Sequence, residues 1–168
     1  KWRDPALTQL GFPTGGDGIT QLNQFFQNSV GSQFGYVAFF TKMPTAWFAY
    51  AGGYVVMRQE SGSFGAWIDS VFAHETGHIF WAPDEYSSSN CVCTTSHGGF
   101  IKKVNGNCDP CATNPFNCLM KGNTLNNLCA FTPAHIGWEA FLDRIDGGLH
   151  AFTNNKLYMF SEKYYVRY

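Results

Sequence analysis

HETGHIFWAPDEY, residues 74–86, carries the most specific chemistry in this 168-residue chain. Its first five residues form an H-E-x-x-H pattern. Residues four apart lie one turn apart on the same face of a helix, so the imidazoles of His74 and His78 can reach one ion. Neutral imidazole is a good ligand for zinc, and a carboxylate beside the first ligand, Glu75, can accept a proton from a water at that ion. Ile68, Val71, Phe72, Ile79 and Phe80 recur around the pair at helical spacing, which predicts an amphipathic helix over 66–80. Two incidental histidines in so apolar a helix would cost desolvation energy without return. Pro83 ends the helix. The turn it forces can bring Asp84, six residues beyond His78, back toward the same ion as a third ligand.

Working outward, residues 11–18 (GFPTGGDG) read as a loop broken by Gly and Pro. Ile19 to Val30 then reads as a helix, with Leu22, Phe25, Phe26 and Val30 in phase and Asp17 as its N-cap. Tyr36 to Phe40 is a short apolar run expected to be a buried strand. Trp47 to Met57, with Gly52-Gly53 inside it, reads as strand–bend–strand or as one strand with a bulge, and as the sheet edge to which an extended peptide could add. Residues 84–130 show little periodicity, and so long an irregular stretch is usually functional or cross-linked. Thr132-Pro133 is expected to start a third helix, Thr as N-cap and Pro at N1, running to about Ile145 and ended by Gly147-Gly148. A hairpin about Asn154-Asn155 is expected in the tail.

The segment resembles the metzincin clan of zinc endopeptidases, whose signature is H-E-x-x-H-x-x-G-x-x-H/D. The match covers His74, Glu75, His78 and Asp84, with Asp in place of the commoner third His, as in snapalysin-like members. His74–Tyr86 is also similar to the H-E-x-G-H…P-D-E-Y segment of immune-inhibitor-A-like secreted bacterial proteases. The family's glycine falls at Trp81. Trp disfavours positive φ, so the turn is expected to use another geometry, at Ala82-Pro83. The family's Met-turn is matched by Asn117-Cys118-Leu119-Met120, placing Met120 beneath the metal. The Tyr that follows this turn in some relatives is replaced by Gly122, which leaves Tyr86, with Trp81, as a candidate substrate or transition-state contact. The resemblance implies an α+β fold: a small mixed twisted sheet, an active-site helix, an irregular disulfide-rich lower subdomain and a C-terminal helix. One catalytic domain would span 1–168, with an upper lobe of about 1–81 and a Cys-rich lower lobe of about 82–168.

Other third ligands compete with Asp84. Glu139-Ala-Phe-Leu-Asp143 has the E-x-x-x-D spacing of thermolysin-like enzymes, in which Glu139 would bind zinc and Asp143 would orient a ligand histidine. His97 and His135 are weaker candidates. Calcium is a second candidate cofactor beside catalytic Zn²⁺, although Asp143-Arg-Ile-Asp146-Gly-Gly lacks the D-x-D-x-D-G pattern of a calcium loop.

All six cysteines fall between Cys91 and Cys129. An even, clustered set suggests a stapled loop region in an oxidising, extracellular setting. The expected bridges join the Cys91/Cys93 pair to the Cys108/Cys111 pair and link Cys118 to Cys129. The rival reading is a structural zinc site built from the first four thiols. Charged residues are 14% of the chain against about 25% in ordinary domains, and aromatics are 17%. Disorder is therefore not expected. A net charge of −1 argues against sequence-independent nucleic-acid binding. No apolar run approaches the about 20 residues of a membrane span. The chain starts at Lys1 and is read as a mature form whose leader or pro-segment is out of view. These readings converge on a secreted, monomeric zinc endopeptidase acting on protein or peptide substrates, with Glu75 as general base. The alternative is a disulfide-stapled binding module with a structural or vestigial zinc. Glu75 speaks against it, because a purely structural site needs no base.

Overall fold

The computed structural model describes residues 2–59, 66–98 and 102–138, and the backbone of 147–151, 156–161 and 164–167. The fold is mixed α+β with small sheets, and the chain forms two compact units.

The first unit holds residues 1–79 and 122–126. Helices α1 (Arg3–Gln9) and α2 (Gly15–Val30) precede a three-stranded sheet of β1 (Ala38–Thr41), β2 (Ala49–Ala51) and β3 (Val55–Arg58). The order is β1-β3-β2, with β1 parallel and β2 antiparallel to β3. Central β3 buries Val55, Val56 and Met57 in succession, the continuous apolar run of a strand covered on both faces. The alternation of the strand leading into β1 divides the core. Val37 and Phe39 pack against Leu7, Ile19 and Leu22 of the first two helices. Tyr36 and Ala38 pack with Val71 and Phe72 of α3 (Ile68–Ile79). The two strands and intervening bend expected over 47–57 are present, with β2 at the edge of the sheet.

Two expectations for the start of this unit are corrected. α1 has no counterpart in the sequence reading, because it is short and buries only Leu7. Helix α2 begins at Gly15 rather than Ile19, and its N-cap position is Thr14, not Asp17. The missing cap comes from elsewhere: Gly15 N–H donates to Asp4 Oδ1 at 3.1 Å, so a carboxylate on α1 satisfies one exposed donor of α2. Asp17 instead sits in the first turn, where its charge complements the helix dipole. Gly18 is required there: a Cβ would stand 1.7 Å from the Pro13 carbonyl oxygen.

The second unit holds residues 80–121 and 127–168. It contains the two-residue ladder of β4 (Ser96–His97) and β5 (Lys103–Val104), the short helix α4 (Thr132–His135), and an antiparallel sheet of β6 (Gly147–Ala151), β7 (Lys156–Ser161) and β8 (Tyr164–Arg167) in that order. β6 and β7 flank the expected turn, pairing Ala151 with Lys156, while Asn154 and Asn155 lie outside the described residues.

The helix expected through Ile145 stops at His135. Gly137 takes φ +88°, Gly137 N–H bonds to Ala134 O and Trp138 N–H to Pro133 O, a Schellman stop. Phe131 holds the N-cap position, so Thr132 is the first helical residue and Pro133 the second, one place later than expected. Gly147 and Gly148, expected to end that helix, lie in β6. Glu139, Asp143 and Asp146 lie outside the described residues.

Two of the expected disulfides are formed, Cys91–Cys108 and Cys93–Cys111. They close the region on itself and leave the four-thiol zinc reading without ligands. The third is not: Cys118 and Cys129 are buried free thiols. Both sulfurs lie 3.3 Å from Thr132 Oγ1, and Cys129 Sγ donates to Glu85 Oε1 at 3.1 Å, so local hydrogen bonds satisfy them. Their mutual hydrogen bond draws the Cys118 thiol down to about 7 and pushes that of Cys129 up. Among the described residues, no helix is long and apolar enough to cross a membrane.

Candidate metal centre

Helix α3 of the first unit presents the H-E-x-x-H residues as its spacing requires. His74 and Glu75 are 5% and 6% exposed. The Nε2 atoms of His74 and His78 converge to 3.2 Å, with the rings perpendicular and their centroids 4.8 Å apart. Without an ion, one ring nitrogen must donate and the other accept. With an ion, both lone pairs would face it. Two nitrogens each about 2.0–2.1 Å from a tetrahedral zinc stand about 3.3 Å apart, so the observed spacing fits a shared zinc. Thr76, on the turn between the histidines, is hydrogen-bonded to Tyr36 through its hydroxyl at 2.9 Å, which ties this helix to the segment leading into β1.

The second unit begins with the turn after that helix. Trp81 adopts φ +65°, and its side chain is 55% exposed. This corrects the expectation that Trp would refuse the left-handed region and shift the turn to Ala82-Pro83. The residue holds the backbone conformation that the signature assigns to glycine, at a cost of about 1–2 kcal/mol.

Asp84 and Tyr86 follow, and the Tyr86 hydroxyl donates to Asp84 Oδ2 at 3.0 Å. Between them Glu85 is fully buried. Its Oε1 accepts from Asn105 Nδ2 at 2.9 Å and its Oε2 from Asn107 Nδ2 at 2.6 Å. Its backbone is held as well: Glu85 N–H donates to Met120 O, and Glu85 O accepts from Asp109 N–H, both at 2.8 Å. Asn107 extends the network through Phe116, whose N–H donates to Asn107 Oδ1 at 2.7 Å. Met120 is fully buried in a single 3-10 turn (Leu119–Lys121) and packs with Ala82, Cys118, Cys129, Phe131 and Ile136.

Glu85, Asn105 and Asn107 are the residues that reading the sequence missed. One signal pointed to Glu85, its place beside Asp84. Nothing in the composition of the Asn-rich loop marks Asn105 and Asn107 as its partners. The two weaker histidine candidates face each other, their ring centroids 6.1 Å apart. His135 is fully buried, with Nε2 hydrogen-bonded to Lys103 O at 3.1 Å and no hydrogen-bond partner for Nδ1 among the described residues.

Burial first, then the charge of His97, holds the His135 imidazole below its usual pKa despite the bond to Lys103 O. The unfolded chain, with an ordinary histidine near pH 6.5, then binds more protons than the folded one, so stability rises with pH in this range. Acidification below about pH 6.5 is expected to destabilise the fold through this residue, by at most about 1.4 kcal/mol per pH unit, until the folded imidazole itself is protonated. Denaturant melts from pH 7.5 to 5 in the wild type and His135→Gln measure it. The variant should lose part of the slope, and an unchanged slope contradicts the expectation.

Compared with models of known protein families, with curated protein sequences and with solved structures, the chain gives no match.

Proposed function

We propose that the protein is a secreted, metzincin-like zinc endopeptidase. The observation that carries this reading is the convergence of His74 and His78 Nε2 to 3.2 Å on one helix face, with Glu75 buried between them in sequence. His74 and His78 would hold the zinc, and Asp84 would complete the set by its place in the motif. When bound, the zinc supplies Lewis acidity that polarises a scissile carbonyl and eases deprotonation of a water.

The chain's own residues do the rest. Glu75 cannot be an incidental surface acid, because it is buried beside the first ligand. It takes a proton from the attacking water and passes it to the leaving amine, the work of one carboxylate acting as base and then acid. β2, at the edge of its sheet among the described residues, offers that edge to an extended peptide. The two disulfides support an oxidising, extracellular setting. The left-handed backbone at Trp81 supports the motif match, because the signature requires that conformation at that position.

The test is hydrolysis of an unfolded polypeptide with and without a zinc chelator. Activity is expected to disappear with chelator and to return on adding zinc. Full activity in chelator would overturn the reading.

A further inference from the structure

Resting on the reading just given, we infer that Tyr86 is a positioning residue for the Asp84 carboxylate rather than a group that touches substrate. Four observations within the second unit carry this. The phenol donates to Asp84 Oδ2 at 3.0 Å, two residues away in sequence. The residue between them cannot shift: Glu85 is held at its N–H, at its carbonyl and at both carboxylate oxygens. The single Ser89 hydroxyl proton lies between both flanking carbonyls, with Oγ 2.6 Å from Tyr86 O and 3.1 Å from Asp84 O. Tyr86 is itself 37% exposed, so its ring is not core filling.

An aspartate carboxylate turns easily about its last torsion, which is broad and roughly two-fold. A donor fixed on one oxygen removes that freedom and sets which oxygen is presented to a cation. A phenol O–H supplies one directional donor to that oxygen. Tyr86 thus does for a ligand carboxylate what partners of ligand side chains do in metal sites generally: it orients the ligand before the metal arrives. Replacing such a partner typically costs about 10–100-fold in metal affinity.

The experiment measures zinc affinity of metal-free wild type, Tyr86→Phe and the His74→Ala/His78→Ala double variant by competition with a chromophoric chelator. The melting temperature of each metal-free protein is recorded alongside. Tyr86→Phe should bind zinc about 10–100-fold more weakly than wild type. Its metal-free melting temperature should be unchanged, which separates positioning from a purely structural role. Wild-type zinc affinity in Tyr86→Phe overturns the inference alone, including when that variant loses kcat, since the phenol then serves the transition state instead. Absence of zinc binding in the wild type, or binding that survives the double histidine variant, overturns the underlying reading and the inference with it.

Discussion

Glu75→Gln is expected to leave the fold and zinc binding in place while lowering kcat on an unfolded polypeptide substrate by about 10²–10⁴-fold, the contribution of a positioned general base. The substitution keeps the volume and hydrogen-bonding length of a side chain that is almost wholly buried. It removes the capacity to take a proton and exchanges one acceptor oxygen for an amide donor. A merely structural acid would show the opposite pattern, with lost stability and retained turnover per folded molecule. Measuring kcat and KM together with the melting temperature separates the two. Full turnover in Glu75→Gln would remove Glu75 from the mechanism.

Glu85→Ala is expected to be the most destabilising single substitution among the polar residues described. The side chain is completely buried and receives the amides of Asn105 and Asn107 and the thiol of Cys129. Truncation takes the Glu85 acceptor from two amides, of which Asn107 keeps Phe116 O, at a cost of about 1–3 kcal/mol for a buried donor left unpaired, and adds a cavity. A total of about 3 kcal/mol or more is a large share of the about 5–15 kcal/mol that stabilises an ordinary domain. Glu85→Gln should cost less, because it keeps the volume and one acceptor while turning one amide donor against another. Denaturant titration of the three proteins gives the ranking, and Glu85→Ala within 0.5 kcal/mol of wild type, a margin of about the size of a neutral surface change, would contradict it. Because the Glu85 carboxylate anchors the residue next to Asp84 to Asn105 and Asn107, the same substitution should loosen the segment that carries Asp84. Zinc affinity should fall along with stability.

How much of this was legible in the sequence depended on the range of the interaction. Helix α3 was legible because its apolar residues repeat at helical spacing and face one side of a sheet. Strands β2 and β3 were legible from apolar runs on either side of the Gly52-Gly53 bend, whereas the buried strand expected over Tyr36 to Phe40 runs from Ala38 to Thr41 and leaves Phe40 exposed. Two disulfides followed from the clustering of cysteines. The start of α2 was not legible, because its first donor is satisfied by Asp4 on another helix rather than by a local cap. The end of α4 was missed because Gly137 lies among residues that would prolong an amphipathic pattern, and only the Schellman bonds reveal the stop. The Cys118–Cys129 expectation counted sulfurs and overlooked that Thr132 and Glu85 could satisfy both thiols. In the candidate site, His74, Glu75 and His78 were read from one turn of helix. The hub at Glu85 joins residues 20 and 22 positions apart, a separation that leaves no periodic trace.

Trp81 shows a limit of a different kind. Steric preference argued correctly that Trp avoids positive φ. The local penalty of about 1–2 kcal/mol is small beside what a folded unit can supply, and the left-handed turn at Trp81 prevailed.

The most direct measurement is the zinc content of the purified chain after equilibrium dialysis, for wild type and for His74→Ala and His78→Ala separately. The account predicts about one tightly held zinc per chain in the wild type, lost in either variant, as expected when two of three protein ligands lie four residues apart on one helix. Zinc retained at the wild-type level in either variant, or no zinc in the wild type, would contradict it.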